Sequence, residues 1–157
     1  MITEANGVAT IRRATPADLE PIEQLLVASG LPTAGVADAL AGFLVAEHDD
    51  SLVGVAGVED CDEYGLLRST AVAPAWRSRG LGRQLVERAI AESEGKGMRA
   101  LYLLTTTAER YFPGFGFSTT TRDTVPAALR DTQEFLGACP ASATVMVRDL
   151  AHRNPAR

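Results

Sequence analysis

Arg77-Ser78-Arg79-Gly80-Leu81-Gly82 places two glycines among basic side chains, with Arg83 next, and a helical pattern starts at once. Gly80 and Gly82 lack Cβ, so the backbone there can turn tightly and approach a ligand closely. The first N–H groups of the helix have no intrahelical partner and sit at the positive end of its dipole. Arg77, Arg79 and Arg83 bring mobile positive charge to the same place. Such a junction suits a diphosphate held mostly by backbone donors. A glycine-rich connection with merely solvated arginines is the plainer alternative, and the glycines alone do not choose between the two.

Two elements must position this junction. Before it, Leu66 to Ala73 is apolar and β-compatible, and Pro74 ends the run because proline cannot donate to a sheet ladder. After it, Leu81, Leu85, Val86, Ala89 and Ile90 recur at helical spacing, with Arg83, Glu87, Arg88 and Glu92 elsewhere on the wheel. A dinucleotide site would need a third glycine where Leu85 stands and an acid on the next strand, which reads Tyr102-Leu103-Leu104. The nucleoside-triphosphate loop G-x-x-x-x-G-K-[ST] is absent as well.

Strand, then Val72-Ala73-Pro74-Ala75-Trp76-Arg77-Ser78-Arg79-Gly80-Leu81-Gly82, then helix resembles the acetyl-CoA-binding motif of the GNAT superfamily of N-acetyltransferases. The rest of the chain fits one domain. Its 157 residues are enough for a core, and 46% apolar and 22% charged content is ordinary for a globular protein. A net charge of −5 argues against a general nucleic-acid or anionic-membrane surface. Cys61 and Cys139 are too few for a disulfide framework or a zinc site, so no metal is expected. Without a long apolar run or a leader pattern, the chain reads as soluble and cytoplasmic.

In chain order, Val8 to Arg13 reads as a strand, and Thr15-Pro16 with Asp18 as a helix start. Leu31-Pro32 opens an unusually apolar linker, so Leu31 either lines a pocket or plugs the core; Val36 to Leu40 follows as a short helix. Phe43 to Glu47 and Leu52 to Glu59 flank a hairpin turn, and the central strand starts at Tyr64. Arg99 to Thr105 is an apolar strand that must run parallel to the central one. A short helix through Phe112, a strand after Phe117, a helix over Pro126 to Leu136 and a last strand from Ala143 to Leu150 complete the domain. Residues 151–157 form a polar tail. The expected class is α+β: a mixed, mostly antiparallel sheet with helices on both faces and one parallel pair around the helix after Gly82. The oligomeric state stays open, a homodimer included.

The element order resembles the GNAT fold over almost the whole of residues 1–150. Several runs, among them Gly54-Val55-Ala56-Gly57-Val58-Glu59, Gly65-Leu66-Leu67-Arg68-Ser69 and Cys139-Pro140-Ala141-Ser142-Ala143, resemble the acetyltransferases associated with arsenic-resistance operons. The resemblance implies direct attack of an amine on the thioester of acetyl-CoA. The cofactor arm would lie along Thr70, Ala71 and Val72, and the pyrophosphate on the amides of Ser78, Arg79, Gly80, Leu81, Gly82 and Arg83, with Arg77 and Arg79 as clamps. The amide near Val72 would polarise the acyl carbonyl. A general base is required, and Glu59, at a strand end beside the central strand, is the candidate, with Glu63 behind it and a solvated strand-end acid as the alternative. The family's tyrosine acid falls at Phe112 here. The adjacent Tyr111 would point about 100° away on a regular helix, unless Pro113 or Gly114 shifts the register. Arg68, costly in so apolar a strand, either bonds a structural carboxylate or reads an anionic group on the substrate. His48 and His152 are in poor positions for catalysis. The leading expectation is a small-molecule N-acetyltransferase linked to arsenic or amino-acid-analogue toxin resistance. A protein or peptide N-acetyltransferase and a non-catalytic acetyl-CoA sensor are the alternatives.

Overall fold

A computed structural model describes residues 8–150; the polar tail expected at 151–157 lies outside the described residues. Among the described residues, seven strands form one sheet in the order β1-β2-β3-β4-β5-β7-β6. β1 (Thr10–Arg13), β2 (Phe43–His48), β3 (Ser51–Cys61) and β4 (Tyr64–Val72) pair antiparallel in succession. β5 (Ala100–Thr105) then joins β4 in parallel, and β7 (Thr144–Asp149) and β6 (Ser118–Thr120) follow antiparallel. The mixed, mostly antiparallel sheet and its single parallel pair match the expectation from sequence.

Each face of the sheet buries a different set of helices. α3 (Leu81–Gly95) buries Leu81, Leu85, Val86, Ala89 and Ile90, the stripe read from the sequence, against Ala56, Val58 and Leu67. Its close approach depends on Gly54, where a Cβ would stand 2.9 Å from a Leu85 methyl. On the opposite face α1 (Leu19–Ala28) and α2 (Val36–Ala39) cover Phe43, Val45 and Val55 with Ile22, Leu26 and Val36. Asp18 closes a capping box with Thr15 ahead of α1 and bonds Arg12, which holds its carboxyl down at about 2.

The helix expected over Pro126 to Leu136 is broken. Only α4 (Ala127–Arg130) is regular, and a separate irregular turn runs from Glu134 to Ala138, with Gly137 at φ 134°. Glycine tolerates that conformation, so the chain can double back there. The turn carries Glu134 inward, where it is 4% exposed.

Candidate active site

β4 and β5 pair only from Tyr64 to Leu66 against Ala100 to Tyr102, although both strands continue. Beyond Leu66 they separate, and a cleft of about 480 Å³ opens between Leu67–Val72 and Leu103–Ala108. Ala73 N–H donates to the Val53 carbonyl, and Ala71 stands opposite Val55. Antiparallel bonding alternates, so the Thr70 and Val72 backbone groups are directed the other way, towards the cleft. The separation thus leaves a row of backbone donors and acceptors without a strand to pair with.

A bulge in β4 shapes the floor. Val55 faces Ala71 and Gly57 faces Arg68, so a two-residue step on β3 meets a three-residue step on β4. Ser69 takes φ 60° to absorb the extra residue, a conformation rarely adopted by a non-glycine residue in a strand. The regular alternation that would put Leu66, Arg68 and Thr70 on one face of the strand therefore ends here. Ser69, which would face away from Arg68 in a regular strand, instead accepts a hydrogen bond from its Nε at 2.8 Å.

Arg68 is buried, and each of its three guanidinium nitrogens donates a hydrogen bond. Nη1 donates to Glu59 at 2.7 Å and to the Ala34 carbonyl, and Nη2 donates to the Pro32 carbonyl. Of the two roles open to it in sequence, pairing with a structural carboxylate is the one seen. It also borders the cleft, as does Leu31, which packs at the same time against the α1 core. Glu59, the candidate base, is held by Arg68 and borders a separate depression with Asp38, Asp60 and Lys96. The buried carboxylate that borders the cleft is Glu134, whose Oε2 lies 3.4 Å from Arg68 Nε. Sequence reasoning missed it because its burial depends on the turn at Gly137; the one available signal was a lone acid beside Phe135-Leu136.

Burial pushes the Glu134 carboxyl up to about 7; Arg68 opposes the shift and the Glu59 charge adds to it. A carboxyl raised in the folded state binds more protons there than in the unfolded chain, so stability falls as pH rises from the usual carboxylate range to about 7. Glu134→Gln, which keeps the shape and removes the charge, is therefore expected to stabilise the fold at pH 8 by on the order of 1–3 kcal/mol and to leave it unchanged near pH 4. Urea titrations at both pH values measure this. Cys139, also on the cleft and hydrogen-bonded to Glu134, is pushed up to about 11, chiefly by burial.

At the other end of the cleft, Pro74–Trp76 forms a tight turn and Arg77 Nε donates to the Val72 carbonyl at 3.1 Å. Arg79 lies over the Trp76 ring, 4.7 Å from its centroid. Ser78 and Gly80 both take positive φ, at 66° and 81°, and Gly80 caps α3 without a side chain. The amides of Leu81, Gly82 and Arg83 precede the first intrahelical bond, from Gln84 to Gly80, and so remain for a ligand. The Leu81 side chain is buried, so only its amide can serve.

Tyr111 reaches this end too. It precedes a 3-10 turn, Phe112–Phe115, rather than lying in a regular α-helix, and the register shift leaves Phe112 in the core. Its hydroxyl would stand 3.4 Å from a Cβ on Gly82, beside Val72. Burial raises the Tyr111 phenol above its ordinary value, so it stays protonated at neutral pH. These groups could together hold an anionic diphosphate, a linear amide arm on a strand edge and a small acceptor beside a buried carboxylate.

Residues 39–119 match the family described as the acetyltransferase (GNAT) domain. The chain belongs to that family. It is 32% identical over 93 residues to an amino-acid acetyltransferase of Neisseria meningitidis serogroup A, covering 56% of this chain and 21% of the relative. Its fold superposes on N-acetylglutamate synthase from Neisseria gonorrhoeae, complexed with coenzyme A and N-acetyl-glutamate, at TM-score 0.78 and 25% identity. That match covers 92% of this chain and 35% of the other. The fold is also that of Rv2747 from Mycobacterium tuberculosis, at TM-score 0.75 and 24% identity, covering 90% and 99% of the two chains. The chain thus spans about a fifth of the length of the curated relatives it matches.

Proposed function

We propose that the chain transfers acetyl from acetyl-CoA to the amine of a small, amino-acid-like molecule. One observation carries the reading: the strand edge at Val72 that β5 leaves unpaired and the side-chain-free cap of α3 meet at one end of a cleft whose other end holds a buried carboxylate. Acetyl-CoA supplies an activated acyl group. The amides of Leu81, Gly82 and Arg83 would hold its diphosphate, with Arg77 and Arg79 as clamps and the Thr70–Val72 edge aligning its arm. The Val72 amide is set to donate to the acyl oxygen, and Tyr111, still protonated, to give a proton to the departing sulfur. Glu59 acts at one remove, through Arg68.

The acceptor is small because about 480 Å³ must accommodate both the acyl arm and the amine, and small-molecule sites commonly need about 300–1,000 Å³. The names of the relatives, an amino-acid acetyltransferase and an N-acetylglutamate synthase, support an amino-acid-like acceptor. The runs similar to arsenic-operon acetyltransferases extend the proposal to an amino-acid analogue bearing an arsenic or phosphorus acid.

The test is acetyl-CoA-dependent thiol release against amino acids, such analogues, polyamines and short peptides. Turnover confined to small amino acids supports the proposal. Turnover confined to peptides, or tight acetyl-CoA binding without any turnover, removes it. The double variant Arg77→Ala/Arg79→Ala is expected to weaken acetyl-CoA binding by about tenfold or more, near 1.4 kcal/mol; unchanged affinity by calorimetry would remove the cradle.

A further inference from the structure

We infer that Glu134 is the catalytic group that takes the proton from the acceptor amine in this cleft, an assignment that rests on the acetyl-transfer reading above. Glu134 is inside the fold yet has one side on the cavity, together with Ser69 and Cys139. Arg68, the cation beside it, donates its hydrogen bonds to Ser69, Ala34, Pro32 and Glu59. One guanidinium thus faces two carboxylates, and Glu59 holds the hydrogen-bonded place. With both acids ionised the cluster carries one negative charge in excess, in a setting where an unbalanced charge is costly. A proton on Glu134 relieves it, and so does an ammonium ligand at the open side.

The groups facing Glu134 are Arg68 from β4, Glu59 from β3 beyond it, and the Cys139 thiol from its own segment. Arg122 lies near Cys139. The thiol, pushed up to about 11, stays neutral and does not compete for the proton. A carboxyl held at about 7 is ionised in part at neutral pH and still basic enough to accept a proton from an ammonium. The acceptor nitrogen arrives as an ammonium and gives one proton to the Glu134 carboxylate. The freed lone pair forms the C–N bond as the acyl C–S bond breaks. The electron pair of that bond leaves on sulfur, which takes the Tyr111 proton while the second nitrogen proton restores the phenol, and Glu134 returns its own to solvent.

With the amine that gives fastest turnover, Glu134→Gln is expected to lower kcat by roughly a hundredfold or more, to leave acetyl-CoA affinity unchanged, and to abolish the acidic limb of the kcat/KM profile. Glu59→Gln removes a like charge from the cluster and is expected to move that limb to lower pH without abolishing it. Infrared difference spectra between about pH 5 and about pH 9 should show a protonated-carboxyl band titrating near the pKa of about 7 and missing in Glu134→Gln. Turnover surviving in Glu134→Gln with an unaltered profile, loss of the limb in Glu59→Gln instead, or no such band overturns this assignment alone. An unaltered chain that binds acetyl-CoA but transfers to no amine overturns the transfer reading, and this assignment with it.

Discussion

Arg68→Met should destabilise the fold at pH 8 by about 3–5 kcal/mol, the usual consequence of removing one partner from a buried ionic cluster. Methionine fills similar space, so cavity formation contributes little. What remains is Glu134, 4% exposed, and Glu59 with no cation between them. The carbonyls of Pro32 and Ala34 and the Ser69 hydroxyl also lose their donor. Those acceptors sit on the linker after α1 and on the β4 bulge, so the acceptor end of the cleft should loosen as well. The sign with pH is fixed by Glu134: without Arg68, which lowers it, the carboxyl takes its proton at a higher pH than in the unaltered chain, and part of the unbalanced charge disappears on acidification. The loss should therefore shrink on acidification, as urea titrations of both proteins across pH would show. A constant deficit from pH 8 to pH 5 would mean the arginine acts by packing alone.

The largest effect on turnover away from Glu134 is expected at Val72. Its N–H is directed to the cleft, so Val72→Pro removes that donor without breaking a rung of the β3–β4 ladder. Proline also favours an extended residue before it, which Ala71, inside β4, already is. Losing a preorganised donor to developing charge on an acyl oxygen typically lowers kcat by about 10²–10³-fold, or about 2.7–4 kcal/mol. Acetyl-CoA affinity should change much less, because the amides of Leu81, Gly82 and Arg83 and the side chains of Arg77 and Arg79 are untouched. A Val72→Pro enzyme with full kcat would show that this amide has no part in transfer. Loss of acetyl-CoA binding in step with kcat would show that it only holds the arm.

Local chemistry made the cofactor end legible in the sequence. Pro74 stops a strand, Gly80 and Gly82 open a helix, and the Leu81 to Ile90 stripe shows which side packs; each effect acts within a few residues. The parallel pairing of β4 with β5 followed as well, since a strand, a helix and a strand of these lengths leave one sensible parallel pairing. Tertiary structure alone decided the acceptor end. The β4 bulge at Ser69 comes from a register mismatch with β3, and no pattern within β4 announces it. Tyr111 comes near Val72 because Phe112–Phe115 winds as a 3-10 turn against the core, which changes the angle between neighbouring side chains. Glu59 and Glu134, 75 positions apart in the chain, meet on one arginine because the turn at Gly137 folds back over the sheet. Burial and charge sharing at that arginine, neither of them local quantities, decide which carboxylate is bonded and which one faces the cleft with its proton affinity raised.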